Sequence, residues 1–130
     1  MNDRYLYRAK RKDNGEWISG YLYGIWERKY ILWGIINDVP DMKEVDPSTI
    51  CQCTGLKDKN GKLIWENDII EAWSQGRCAI GKIKHRIDGT WIMYPAWQNG
   101  EMWYLLPNDE GITTVEVIGN IFDNPELLEK

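Results

Sequence analysis

Hydrophobic and polar residues alternate with a period of two over most of the chain, a pattern that predicts β-strands. In RYLYRAK, residues 4–10, the Tyr and Ala side chains fall on one face and the basic side chains on the other. The segment YILWGII, residues 30–36, is apolar on both faces, which is typical of a central strand. Outside two short segments that begin at Asp46-Pro47 and Asn124-Pro125, no window of ten residues repeats its hydrophobic positions with the period of a helix. The chain therefore predicts about nine or ten short strands.

Turn signals divide these strands. Asn14-Gly15 and Asn60-Gly61 favour hairpins, because Asn-Gly tolerates the positive φ that a type I′ turn requires. Asp46-Pro47 and Asn124-Pro125 each combine a helix-capping residue with a first-position proline. We therefore expect a one-turn helix after Asp46 and a short C-terminal helix.

The predicted fold class is all-β. Residues 66–94 read as a three-strand meander in which small residues, among them Gly81, stand where a strand bends sharply. This arrangement resembles the core of small SH3-like barrels. We expect this barrel-like meander to be packed with further β-hairpins, the one-turn helix and the short C-terminal helix.

Length, charge and cysteine content restrict the class of protein. The chain has 130 residues with 43% hydrophobic content, so we expect a single domain over residues 1–130. Sixteen basic and 20 acidic residues give a net charge of −4, which argues against a generic polyanion binder. Residues 77–86 nevertheless hold four bases and no acid. Three cysteines, no leader segment and no apolar run of membrane-spanning length predict a cytoplasmic protein without disulfides or a membrane partner.

Residues 54–70 contain three carboxylates, Asp58, Glu66 and Asp68, which have two interpretations. They could form a cluster for metal binding or acid–base chemistry. Alternatively, each could accept backbone N–H bonds in a turn. No further ligand-type cluster flanks them, so we favour the second interpretation. The predicted structural turn motif comprises Asp58, Asn60, Gly61, Glu66, Asn67 and Asp68.

The cysteines and the single histidine give little support for metal binding or catalysis. Cys51 and Cys53 share one strand face, whereas Cys78 and His85 come later, and this spacing is poor for zinc. Small buried cysteines are the simpler interpretation. His85 shares its predicted face with Ile83 and is expected at the edge of the core, and no Ser or Cys occupies a nucleophile elbow. We therefore predict no metal, no cofactor and no enzymatic activity.

A basic strand face is the strongest candidate for nucleic-acid binding. Lys82, Lys84 and Arg86 alternate along one predicted strand, and Trp91 is expected nearby across the next hairpin. Basic strand faces beside exposed aromatic rings bind single-stranded nucleic acid in small barrels. Lysines also protect sheets from aggregation, and three bases in an acidic protein make a weak phosphate footprint. The pattern favours the solvated face and keeps nucleic acid as the alternative.

Aromatic residues are unusually abundant, with eight Trp and seven Tyr against one Phe. Trp17, Tyr21 and Tyr23 share one strand face, and Trp26, Trp91, Tyr94, Trp97 and Tyr104 add to the group. These side chains could be ligand platforms, core residues or a subunit interface. We predict a self-association surface that includes Trp17, Tyr21, Tyr23 and Trp103.

Three blocks of the sequence resemble the YopX family of phage and prophage proteins. The blocks are YLYRA (5–9) followed by Trp17 and Gly20, CTGLKDKNGK (53–62) with IWENDII (64–70), and VIGNIF (117–122) with NPELL (124–128). The family usually has Glu-Gly-Asp where this chain has Glu66-Asn67-Asp68, and Asn is the best substitute for Gly at a left-handed position.

The resemblance implies a predominantly β fold, a tendency to form oligomers and no established catalytic activity, and it assigns no functional residue. Taken with the aromatic surface, it favours a non-catalytic oligomeric interaction protein. Its partners would be further copies of the chain and phage or host proteins, and its location the host cytoplasm. The alternative function is a nucleic-acid-binding module.

Overall fold

The computed structural model describes residues 6–36, 39–74, 76–86, 89–95 and 102–129. The fold is all-β, as predicted, and its strands pair in antiparallel sheets. The strands are β1 (Tyr7–Lys10), β2 (Trp17–Ile25), β3 (Arg28–Ile36), β4 (Val39–Val45), β5 (Cys51–Lys57), β6 (Leu63–Trp65), β7 (Asp68–Ser74), β8 (Arg77–His85), β9 (Trp91–Pro95), β10 (Trp103–Tyr104) and β11 (Glu116–Asn120). Two short 3₁₀ helices span Pro47–Thr49 and Pro125–Leu128.

The chain forms two compact units, residues 1–53 and residues 54–130. Strand β5 crosses the boundary between them, because it runs from Cys51 to Lys57. The expectation of a single domain over residues 1–130 stays a prediction.

In the first unit, strands are ordered β4-β3-β2-β1, and the start of β5 pairs with β1. The segment YILWGII lies in β3, which has a neighbour on each side, as its two apolar faces predicted. A bridge between Arg11 and Val45, together with the Asp46 N–H that donates to the Lys10 carbonyl at 2.9 Å, also joins the end of β1 to the end of β4. Inside this arrangement lies a small core, whose buried members are Ala9, Ile18, Ile31 and Val45.

In the second unit, a five-stranded sheet has the order β10-β9-β8-β7-β11, and the later part of β5 neighbours β6. The predicted meander of residues 66–94 is formed by β7, β8 and β9. Gly81 is buried in β8, and a Cβ added there would collide with the Tyr94 carbonyl and the Met93 sulfur. The core of this unit contains Ile64, Ile70, Ala72, Ala79, Ile83, Met93, Leu105 and Val115.

The turn predictions hold in outline and differ in detail. The β1–β2 hairpin forms at Asn14-Gly15, but only Gly15 has a positive φ, of 74°. A type I′ turn needs positive φ at both central residues, so this turn is of another type. Asp46 caps Pro47–Thr49 by accepting the Ser48 N–H at 3.0 Å. The predicted C-terminal helix is the 3₁₀ helix Pro125–Leu128, and the Asn124 side chain accepts the Asn120 N–H at 3.3 Å instead of capping it.

Candidate interaction surfaces

An aromatic face covers one side of the first unit. The register places Tyr21 opposite Leu32 and Tyr23 opposite Tyr30, while Leu32 also pairs with Met42. Directly opposed residues in antiparallel strands share a face. The aromatic face therefore comprises Trp17, Tyr21, Tyr23, Tyr30, Leu32 and Met42. It lies opposite the side that carries Ile18 and Ile31 into the core.

The exposed residues of this face lie on β2 and β4. Tyr21 and Tyr23 are each 44% exposed, and Met42 is 40% exposed. The Tyr23 and Tyr30 rings lie 6.4 Å apart, in a tilted arrangement. Trp17 is half-buried, because the guanidinium of Arg8 lies 4.8 Å from its ring centre and the ammonium of Lys10 lies 5.4 Å away. The two tyrosines are thus the more accessible of the three β2 aromatics that the sequence indicated.

The β2–β3 hairpin ends in the most exposed large apolar side chain of the described residues. Trp26 is 94% exposed, and its φ of 54° lies in the left-handed region that bulky residues rarely adopt. Its neighbour Glu27 is also exposed. Trp26 and Glu27 form what we call the hairpin tip. The sequence placed Trp26 among the aromatic candidates, but its position at a turn, between two strands without a Gly-rich signal, was not predicted.

Trp103 belongs to the second unit and differs in role from the β2 aromatics. It pairs with Met93, is half-buried, and packs against the core of that unit. The structure therefore places Trp103 at the edge of a core, whereas Tyr21 and Tyr23 are exposed on the first unit. A Trp103 substitution would damage packing as well as any interface.

An apolar cavity of about 520 Å³ opens beside Trp103. Its walls include Met93, Leu105 and Val115 of the core. Four exposed large apolar residues also line it: Trp73, Met102, Tyr104 and Leu106. Its volume lies within the range typical of binding pockets, roughly 300–1,000 Å³. No sequence motif marked this cavity, because its lining comes from five separate segments.

The basic face of β8 consists of Lys82, Lys84 and Arg86. Lys82 pairs with Tyr94 and Lys84 with Ile92, so both lysines lie on the side opposite the buried Gly81 and Ile83. Both lysines are half-buried, and neither forms an ion pair with any residue that the structure describes. Arg86 donates a hydrogen bond to the Tyr104 hydroxyl and lies 5.6 Å from the centre of that ring.

The register corrects the predicted position of Trp91. Trp91 pairs with His85, one residue beyond Lys84, so its side chain faces the same side as Ile83 and not the side of the lysines. There it stacks on His85, with ring centres 4.2 Å apart and planes within 9°. The His85 Nε2 also lies 3.0 Å from the Gly89 carbonyl oxygen. Tyr94 and Tyr104 are the aromatic residues that accompany the basic face.

Asp58 joins the β5–β6 turn to strand β11. Its Oδ1 accepts the N–H groups of Asn60 and Lys62, both at 2.9 Å, and its Oδ2 accepts that of Val117 at 3.1 Å. Burial opposes ionisation, but these backbone donors, helped by the charge of Lys62, outweigh it and hold the pKa of Asp58 below its usual value. Asp58 as a whole residue is 1% exposed. Both carboxylate oxygens of Asp58 are therefore engaged by backbone N–H groups of the fold.

The Glu66-Asn67-Asp68 segment forms the turn between β6 and β7. Asn67 has a φ of 69°, the left-handed conformation expected from the Gly-to-Asn departure. Its N–H donates to the Ile83 carbonyl and its carbonyl accepts the Ile121 N–H, each at 3.0 Å. Asp68 is buried and accepts the Trp65 N–H at 2.8 Å, while Glu66 lies in the turn itself.

The three cysteines differ in their exposure. Cys51 and Cys53 are buried and Cys78 is exposed. Among the residues with described positions, no group of three or more His, Cys, Asp or Glu side chains has the arrangement of a metal site.

In the described part of the chain, no helix has the length and apolar character needed to cross a membrane. Trp97, one of the aromatic candidates, lies outside the described residues.

The comparison with protein families identifies the chain. The YopX protein family matches residues 6–129. This chain belongs to the YopX family. Among solved structures, it is similar to the crystal structure of protein EF1440 from Enterococcus faecalis, with 23% sequence identity and a TM-score of 0.47 over 95% of this chain and 96% of that one. No curated protein matches the sequence.

Proposed function

We propose that this YopX-family protein is a non-catalytic interaction protein that self-associates through the aromatic face. It would act in the host cytoplasm as a phage or prophage product. The observation that carries the proposal is the clustering of exposed apolar side chains. Among the described residues of the first unit, four of the five exposed large apolar side chains lie on the aromatic face or at the hairpin tip, and they are Tyr21, Tyr23, Trp26 and Met42. The fifth, Leu22, lies on the opposite face of β2. Clusters of this kind mark interaction sites in soluble proteins.

The sharpest test replaces the two exposed tyrosines. Tyr21→Ser with Tyr23→Ser removes two aromatic rings from an interface, so we expect self-association to weaken by about tenfold or more. Sedimentation velocity over a range of protein concentrations measures this. Tyr21→Phe with Tyr23→Phe is the matched control, because it keeps both rings, and it should associate like the unmodified chain. A protein that is monomeric at every concentration would contradict the proposal.

The second candidate function is binding of single-stranded nucleic acid on the basic face. Two observations favour it. Arg86 contacts Tyr104 beside Lys84, and Tyr94 pairs with Lys82. Arginine and tyrosine together can hold a phosphate and stack a base. Three cations that neutralise three phosphates predict that log K falls with log salt with a slope of about −2 for a single strand.

Fluorescence anisotropy with labelled mixed-sequence oligonucleotides, single- and double-stranded, tests this function. The triple variant Lys82→Gln, Lys84→Gln and Arg86→Gln should lose binding. A matched control carries Lys29→Gln, Lys43→Gln and Lys62→Gln, which neutralise three cations elsewhere, and it should retain most of it. Absence of binding at low salt, or equal loss in both triple variants, would count against a specific site.

A further inference from the structure

We infer that the hairpin tip of one copy inserts Trp26 into the apolar cavity of the second unit of another copy. This inference rests on the proposed self-association. It identifies the cavity of the second copy as the surface that the hairpin tip of the first copy contacts. The contact joins two different surfaces, so it is heterologous.

The first observation is the division of exposed apolar side chains between two patches. Among the described residues, the first unit presents its exposed large apolar side chains on β2, β4 and the hairpin tip, and all four of the second unit line the cavity. One patch ends in a projecting side chain and the other surrounds an opening. Each patch is therefore the kind of surface that the other could bury.

The second observation is the state of Trp26 itself. Trp26 is 94% exposed, so almost none of its surface is buried. Its positive φ holds a bulky residue in a conformation that it rarely adopts, and such outliers cluster at functional positions. An isolated, projecting Trp is also the residue type that most often dominates the energy of an interface.

The third observation is charge. Arg77 is the only charged residue among those that line the cavity in the described structure. Glu27, next to Trp26, is exposed and forms no ion pair with the residues the structure describes. Insertion of Trp26 would bring a carboxylate to the rim that carries the guanidinium. This complementarity favours another copy of the chain over an unrelated apolar ligand as the occupant.

The test uses complementary variants in sedimentation velocity. Trp26→Ser removes the inserted group and keeps the cavity, whereas Thr114→Trp obstructs the exposed rim of the cavity and keeps Trp26. Each variant alone should associate at least about tenfold more weakly than the unmodified chain. An equimolar mixture should form a one-to-one dimer that does not grow, because only one productive contact remains.

Two controls separate insertion from loss of folding. Asp109→Trp adds a tryptophan at an exposed turn residue that does not line the cavity, and it should leave association unchanged. Glu27→Arg and Arg77→Glu should each weaken association, and the two together should restore it. Circular dichroism of each variant should match the unmodified chain.

The outcomes distinguish this inference from the proposed function. If the unmodified chain associates, Tyr21→Ser with Tyr23→Ser weakens it, and Trp26→Ser and Thr114→Trp do not, insertion is wrong and self-association stands. If both single variants weaken association but their mixture forms no dimer, the two surfaces do not meet and insertion is again wrong. If the unmodified chain is monomeric at every concentration, both fail.

Discussion

At the scale of single residues, the carboxylate of Asp58 is the clearest case of a group that resembles catalytic chemistry and has a structural role. Both of its oxygens accept backbone N–H groups, from the β5–β6 turn and from β11. A buried anion with this partner set fixes two segments of the chain to each other. Asp58 and Asp68, two of the three carboxylates that the sequence offered as a metal cluster, accept backbone N–H groups at turns.

Asp58→Asn should lower the free energy of unfolding by about 2–3 kcal/mol, because charge-assisted bonds are lost and an amide group is turned toward the Val117 N–H. Urea denaturation followed by tryptophan fluorescence measures it. Asp109→Asn, at an exposed turn, is the control and should change stability by less than about 0.5 kcal/mol.

The difference between Asp58→Asn and the unmodified chain should also depend on pH. The folded pKa of Asp58 lies below its ordinary value of 3.8, so the unfolded chain binds this proton first as the pH falls. The stabilisation is therefore complete above the ordinary pKa and is lost as the pH falls through the folded value. The two unfolding midpoints should converge in acid, and a constant gap would contradict the assignment.

At the scale of elements, strand β8 shows how register decides which side chains meet. Gly81 allows the Tyr94 backbone and the Met93 side chain to approach closely. Gly81→Ala should destabilise the protein by roughly 2 kcal/mol or more, because the new methyl group has no space. Gly24→Ala is the control, since a Cβ there would meet only the flexible side chain of Lys29. Thermal unfolding of both variants gives the comparison, and equal shifts would argue against close approach.

The sequence predicted elements well because their signals are local. The period of two predicted the strands, and Asp46-Pro47 predicted a one-turn helix that the structure shows as 3₁₀. The apolar run of residues 30–36 predicted a central strand. Trp91 was placed wrongly because its position depends on pairing across a hairpin, where a shift of one residue reverses the face. Tyr104 reaches Arg86 from a strand 18 residues away, and the cavity lining comes from several segments. Such contacts leave no local pattern.

At the scale of the whole molecule, each of the two buried clusters lies within one unit. Ala9, Ile18, Ile31 and Val45 belong to residues 1–53, and the cluster that includes Ile83 and Met93 belongs to residues 54–130. Among the described residues, the first cluster has four buried members and the second has eight. Regions with less buried apolar packing open at lower free energy. The first unit should therefore open locally more often than the second.

Hydrogen exchange followed by mass spectrometry tests this division. Amides of β2 and β3 should exchange faster than those of β7, β8 and β9. Ile31→Ala and Ile83→Ala each remove about 2–4 kcal/mol of core packing. Ile31→Ala should accelerate exchange mainly in β1–β4, and Ile83→Ala mainly in β7–β9, while Ile31→Val and Ile83→Val should have smaller effects in the same strands. Uniform acceleration along the chain in either alanine variant would mean that the two cores open together, as expected for a single cooperative domain.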